Sequence, residues 1–164
     1  MKESVGDIEP AKADDLAEIL ALVNKTNSEW YKDITPAELW YEPFLTIEQI
    51  TEMSTSMSFF IQRFKGDIVS VGSFGVRADG VAWIPLMTIR SDFQRRGLGS
   101  TLLRYLEGMA IEQKHERVIL ETDNDAVWAV SFYKKNGYTI FKRDKNPWGY
   151  HIWLEKYLKQ EWSG

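Results

Sequence analysis

The sequence predicts a mixed α/β fold, with a twisted, mostly antiparallel sheet of about seven strands flanked by about four to five helices, in a single domain over 1–164. Three patterns predict it. Near the start, Leu16, Ile19, Leu20 and Val23 recur at helical spacing behind two acidic residues. The period then drops to two through "SFFIQRF", "GDIVSVGSFGVR" and "VAWIPLMTIR", with "KGD" and "ADG" as hairpin turns. Beyond this antiparallel meander, helical and strand patterns alternate to the end.

Taken in order, "VGDIEPA" reads as a short strand ending at Pro10, and "DDLAEILALVNKTN" as the first helix. Thr35-Pro36-Ala37-Glu38 and Thr46-Ile47-Glu48-Gln49 both have the form of a capping box, so each is expected to start a short helix. Trp30, Tyr31, Trp40, Tyr41 and Phe44 crowd this connecting region. The third meander strand, 81–89, contains Pro85, which implies a bulge or a missing partner there. Next, Leu98, Leu102, Leu106 and Ala110 form one helical stripe, with Leu103 and Met109 beside it. "RVILET" is a short apolar run suited to a strand buried on both faces. "AVWAVSFYKKNGY" is a helix closed at Asn136-Gly137, where glycine supplies a left-handed cap. "YTIFKR" and "YHIWLEKYL" read as a closing strand pair.

Composition limits the chemistry. The chain is 44% hydrophobic and 27% charged, as in ordinary globular domains. It has no cysteine, hence no disulfide and no thiol nucleophile, which suits a reducing cytoplasm. His115 and His151 are its two histidines, so no metal site is expected. A net charge of -4 argues against a nucleic-acid partner. No apolar run is long enough to span a bilayer, and the first residues lack the layout of a secretory signal. A soluble cytoplasmic protein without membrane partners is expected.

The stretch "QRRGLGS" sits where the third meander strand gives way to the leucine-rich helix. Each glycine costs a helix about 1 kcal/mol relative to alanine, so two at its start need a reason. Without Cβ atoms, the free N–H groups of a first turn are open to an anion, and the helix dipole favours negative charge there. Arg95 and Arg96 add positive charge. Tight helix packing with solvated arginines is the competing reading of the same residues. A P-loop needs Gly-Lys-Ser/Thr, which is absent, and a dinucleotide fingerprint needs its third glycine at position 102, which is Leu102.

The pattern present is Gln-x-x-Gly-x-Gly, at 94–99. With "LMTIRSDFQRRGLGSTLL", "VILETDN" and "AVSFYKKNGY" following in order, the chain resembles the GNAT superfamily of N-acetyltransferases. The resemblance implies that Gln94, Arg95, Arg96, Gly97, Leu98, Gly99 and Ser100 hold the diphosphate of acetyl-CoA. It also implies that the strands on either side of the loop and its helix splay apart and that pantetheine enters the gap. There the N–H of Met87 would face the thioester carbonyl and Ile89 would pair with pantetheine amides. Tyr133 falls at the family's general-acid tyrosine, a group that can donate a proton to the leaving thiolate.

Two positions depart from the family. The glutamate that some members carry on the strand before the loop is replaced by Trp83, here grouped with the acceptor-facing residues, and Glu121 or Asp123 is the nearer candidate base. The pantetheine-binding asparagine is replaced by Ala126, and Asn124, two positions earlier, either substitutes for it or caps the helix. The amine acceptor is expected over Trp30, Tyr31, Trp40, Tyr41 and Phe44, which are equally readable as core. "VGSFG" falls short of a nucleophile elbow, making Ser73 structural, and neither histidine has a visible triad partner. The resemblance further implies direct acetyl transfer to a primary amine, with a homodimer through "YHIWLEKYLKQEW". The alternative is a module of this fold that binds acyl-CoA without turnover.

Overall fold

The computed structural model describes residues 4–147 and 149–159. An eight-stranded sheet runs β1 (Glu9–Pro10), β2 (Met57–Phe64), β3 (Asp67–Val76), β4 (Ala82–Trp83), β6 (Arg117–Asp123), β8 (Gly149–Tyr157), β7 (Thr139–Asn146), with β5 (Met87–Ile89) paired to β3 alone. All neighbours are antiparallel except β4 and β6. Four α-helices pack around it: α1 (Leu16–Tyr31), α2 (Ile47–Ser56), α3 (Leu98–Glu112) and α4 (Val127–Lys135).

The β2–β3 hairpin turns on Lys65 and Gly66, whose φ values of 50° and 86° are both left-handed, the backbone that a two-residue turn needs to match strand twist. Side chains alternate across β3, so the sheet has two cores. Phe59, Ile61 and Val71 meet Ile19, Leu22 and Val23 of α1 and Ile50 of α2 on one face. Phe60 and Phe74 meet Leu102, Leu103, Leu106 and Ala110 of α3 on the other. Each buried leucine there contributes roughly 1.5–3 kcal/mol. Gly72 lets α3 approach, since a Cβ on it would lie 2.9 Å from Leu106 Cδ1.

The predicted third meander strand is broken in two, which is why there are eight strands rather than seven. Gly75 faces Trp83 while Gly72 faces Met87, so four steps of one strand oppose three of the other, and the extra residue falls around Pro85. The proline bulge is thus present. The consequence is lateral: β6 bonds β4 at Ala82 and Trp83, and Ile84 N–H reaches Ile119 O, but β5 leaves β6 unpaired beyond that point.

Other expectations are corrected. Thr46 and Gln49 form their reciprocal capping box and start α2. Thr35 does not start a helix. Its hydroxyl donates to Tyr31 O, finishing α1, and only a 3-10 turn, Ala37–Leu39, follows. The first strand shrinks to Glu9–Pro10, with the Gly6 and Ala11 amides bonding Arg63 O and Phe59 O of β2 on either side of it. Gly137, with φ of 96°, closes α4 as expected. Ser73 is buried within β3. Residues 160–162 of the stretch expected at a dimer contact lie outside the described residues. Among the described residues, no helix is long and apolar enough to cross a membrane.

Candidate active site

The opening between β5 and β6 leads to the first turn of α3. Ser73 N–H bonds Leu86 O and Arg90 N–H bonds Val69 O, so the residues flanking β5 are spent on β3. Met87 and Ile89, between them, direct their backbone groups the other way, into the opening. The Ile89 carbonyl is already used: Gln94 Nε2 donates to it at 3.0 Å, fastening the loop to the strand end. Gln94 therefore shapes the cradle rather than reaching out of it.

The two glycines do different work. Gly97 is the N-cap of α3 with φ of 83°, and a Cβ placed on it would meet nothing within 4 Å. Arg95, two residues earlier, is also left-handed at φ 63°, so consecutive amides curve into an anion-binding concavity. Thr101 N–H, bonded to Gly97 O, is the first amide with an acceptor in the turn, so those of Gly97, Leu98, Gly99 and Ser100 face out of the helix end. Arg95 and Arg96 are exposed at the rim, with Arg96 lying over the Phe93 ring at 4.7 Å. Gly99 answers the packing reading instead: its Cβ would stand 3.0 Å from Phe132 Cζ of α4. An open cradle backed by an unpaired strand pair fits the diphosphate and pantetheine of a coenzyme A thioester.

Tyr133 follows Phe132 on α4 and is half-buried. Burial, then the neighbouring Tyr31 phenol, raises its pKa well above the ordinary 10, so it stays protonated. Tyr31 is raised too, through burial, and shares a hydrogen bond with Thr122, on the part of β6 that pairs with β8 but not with β5. Trp128, earlier on the same helix, has its ring 5.4 Å from those of both Trp30, tilted, and Tyr31, edge-on. Trp30 Nε1 donates to Ser91 Oγ, whose hydroxyl donates to Glu29, tying the end of α1 to the loop before the cradle.

The structure thus brings Trp30, Tyr31 and Tyr133 together, but not Trp40. Trp40 donates to Glu42 and lines, with Phe44 and Asn24, a separate cleft of about 500 Å³ to which β5, β6 and α4 contribute nothing. Tyr41 is exposed. Trp83 shares a sheet face with Glu121, and its indole nitrogen is buried without a partner among the described residues. Asn124 caps nothing. The N-cap of α4 is Ala126, and the Asn124 side chain accepts a hydrogen bond from Arg143, while Asp123 holds the Asp125 amide.

Sequence reasoning missed two residues. Trp128 carries a signal, an indole within the helix that bears Tyr133, but the sequence pattern does not single it out. His151 was judged partnerless. In the structure its Nε2 lies 2.5 Å from Glu121 Oε2, because β8 pairs with β6 and sets the two residues diagonally on one face. Among the described residues no group of three metal-binding side chains gathers.

A sheet opened beside a backbone anion cradle is the architecture of a group-transfer protein that draws a long phosphorylated cosubstrate between its strands. The Acetyltransferase (GNAT) family profile matches residues 19–138, most of the chain. The chain belongs to the GNAT family. It is 34% identical over 61 residues to N-alpha-acetyltransferase 30 of Dictyostelium discoideum, a match covering 37% of this chain and 33% of that protein. The chain thus spans about a third of the length of that relative. Its fold is similar to that of the PaiA N-acetyltransferase of Thermoplasma acidophilum in complex with coenzyme A, with a TM-score of 0.79 and 17% identity over 95% of this chain and 100% of that one. Ard1 of Thermoplasma volcanium is similar as well, at a TM-score of 0.75 and 20% identity over 94% and 99% of the two chains.

Proposed function

We propose that the protein is an acetyl-CoA-dependent N-acetyltransferase that moves the acetyl group directly onto a primary amine within a ternary complex. The observation that carries this reading is the unpaired β5–β6 opening ending at the Gly97 cradle. Acetyl-CoA supplies the thioester. The outward amides of residues 97–100, with Arg95 and Arg96, hold its diphosphate. The Met87 N–H donates to the thioester carbonyl, where charge develops during attack. Tyr133, kept neutral by burial, gives its proton to the departing thiolate. Glu121 serves the proton-removing side of the reaction.

The acceptor lies on the face bearing Trp83 and Glu121, beside Tyr31 and Trp30. Asn124 reaches the cosubstrate only by releasing Arg143. The absence of cysteine supports a cytoplasmic setting, and the likeness to an N-alpha-acetyltransferase puts peptide N-termini among the acceptors to try. A homodimer formed through β8 follows the family habit; Tyr150 and Tyr157 are exposed on that strand.

Trp83 in the place of a glutamate favours one second reading, an acyl-CoA-binding module without turnover. Thiol release from acetyl-CoA across a panel of amines, with wild type and Tyr133→Phe side by side, separates the two. The enzyme reading expects release that depends on one amine class and falls about 10²-fold in the variant. Tight coenzyme A binding with no release in either protein establishes the module.

A further inference from the structure

Glu121 and His151 occupy adjacent strands on one sheet face, and α1 packs over β3 and β5 and reaches β6 through Tyr31. Their side chains are 28% and 36% exposed, so the pair is open to a substrate without being loose in solvent. Asp123 lies directly opposite His151 at the end of β6, beyond the last bond from the β4 side, and Tyr31 approaches Asp123 from α1. From β7, Asp144 stands opposite His151 but is engaged by Lys142 at 3.5 Å and by Trp153 Nε1 at 3.3 Å. The Trp153 ring meets His151 edge-on at 5.7 Å.

Resting on the transferase reading, we infer that His151 is the general base of the reaction and that Glu121 is a positioning residue acting through it. A carboxylate only accepts, so the hydrogen in the 2.5 Å contact belongs to Nε2. In the neutral imidazole that tautomer leaves the Nδ1 lone pair available, the arrangement in which a carboxylate orients an imidazole for proton abstraction. Glu121, with Oε2 committed to the ring, is the poorer base of the two.

The protons balance. An incoming ammonium gives one proton to Nδ1, and the freed amine lone pair forms the C–N bond at the thioester carbon. Collapse breaks the C–S bond, and the thiolate takes the Tyr133 proton. The proton shed by the new amide nitrogen restores the phenol through solvent, and His151 releases its own to solvent. The products are an amide, a thiol and one proton.

The test uses the full chain with acetyl-CoA and three probe amines: spermidine, tyramine and a tripeptide with a free N-terminus. His151→Gln should lower kcat about 10²-fold and abolish the fall in rate toward acid pH, because a protonated imidazole cannot accept a proton. His151→Ala should regain part of its turnover with added imidazole. Glu121→Gln, nearly isosteric, should lose about tenfold. Without cosubstrate, nitrogen NMR shifts should show His151 as the Nε2–H tautomer in wild type and as a mixture in Glu121→Gln, since an amide can either donate or accept. Wild-type turnover and an unchanged acid limb in a folded His151→Gln overturn this inference and leave the transferase reading intact. A wild type that binds coenzyme A but acetylates none of the three removes the transferase reading and this inference with it.

Discussion

Gly99 of α3 lies against Phe132 of α4 so closely that a single added carbon would come within 3.0 Å of the ring, and the next residue along α4 is Tyr133. Cradle and acid are thereby mechanically joined: the helix that presents the anion-binding turn also sets the height of the helix that carries the phenol. Gly97, two residues away, touches nothing where its Cβ would be.

These two glycines should fail differently. Gly97→Ala places a side chain at φ of 83°, costing about 1–2 kcal/mol, and should weaken coenzyme A binding with little change in kcat at saturation. Gly99→Ala pushes Phe132, and Tyr133 with it, so kcat should fall about tenfold or more while coenzyme A affinity moves less. Calorimetric binding beside steady-state kinetics distinguishes the two; the same pattern in both variants would dissolve the division of labour.

Much of this region is legible in the sequence because local chemistry decides it. A proline within an alternating run removes a ladder donor, so a bulge or a missing partner is expected there, and the Leu98 to Ala110 stripe turns one face of α3 inward. Thr35 shows the limit. Its capping box is complete in sequence, yet α1 runs on to Tyr31 and offers a terminal carbonyl, and the hydroxyl goes there instead. The Glu121–His151 pair is invisible for another reason: residues thirty apart meet only through the β6–β8 register, which no local pattern encodes. Aromatic density alone groups Trp40 with Trp30, and beyond the turn at Ala37–Leu39 it lines a separate cleft with Asn24 and Phe44 instead.

A partly buried ion pair holds α3 to β8. Glu107 Oε1 accepts from Lys156 Nζ at 2.9 Å and Oε2 from the Tyr138 hydroxyl at 2.8 Å, with the Glu107 side chain 9% exposed. Lys156→Met leaves that carboxylate with the Tyr138 hydroxyl but without its partly exposed cation and should cost about 1–3 kcal/mol. Glu107→Leu combined with Lys156→Met removes both charges and should recover most of the loss. Denaturant melts of the two single variants and the double one measure the coupling; strict additivity would show that the pair does not act as a unit.

Tyr138 gives the fold a dependence on alkaline pH. Burial, reinforced by the Glu107 carboxylate, raises its pKa far above 10 in the native state. The native phenol therefore keeps its proton where the unfolded chain surrenders it. Its contribution is complete below pH 10 and is lost as the pH rises beyond, at about 1.4 kcal/mol per pH unit. Tyr138→Phe lacks the titration but also the hydrogen bond to Glu107, so at neutral pH it should be less stable by about 1–3 kcal/mol. Above pH 10 its stability should fall less steeply than that of wild type, and the two curves should converge. Parallel curves across pH 8 to about 11.5 would mean that the phenol ionises as easily folded as unfolded, against the burial that the fold imposes on it.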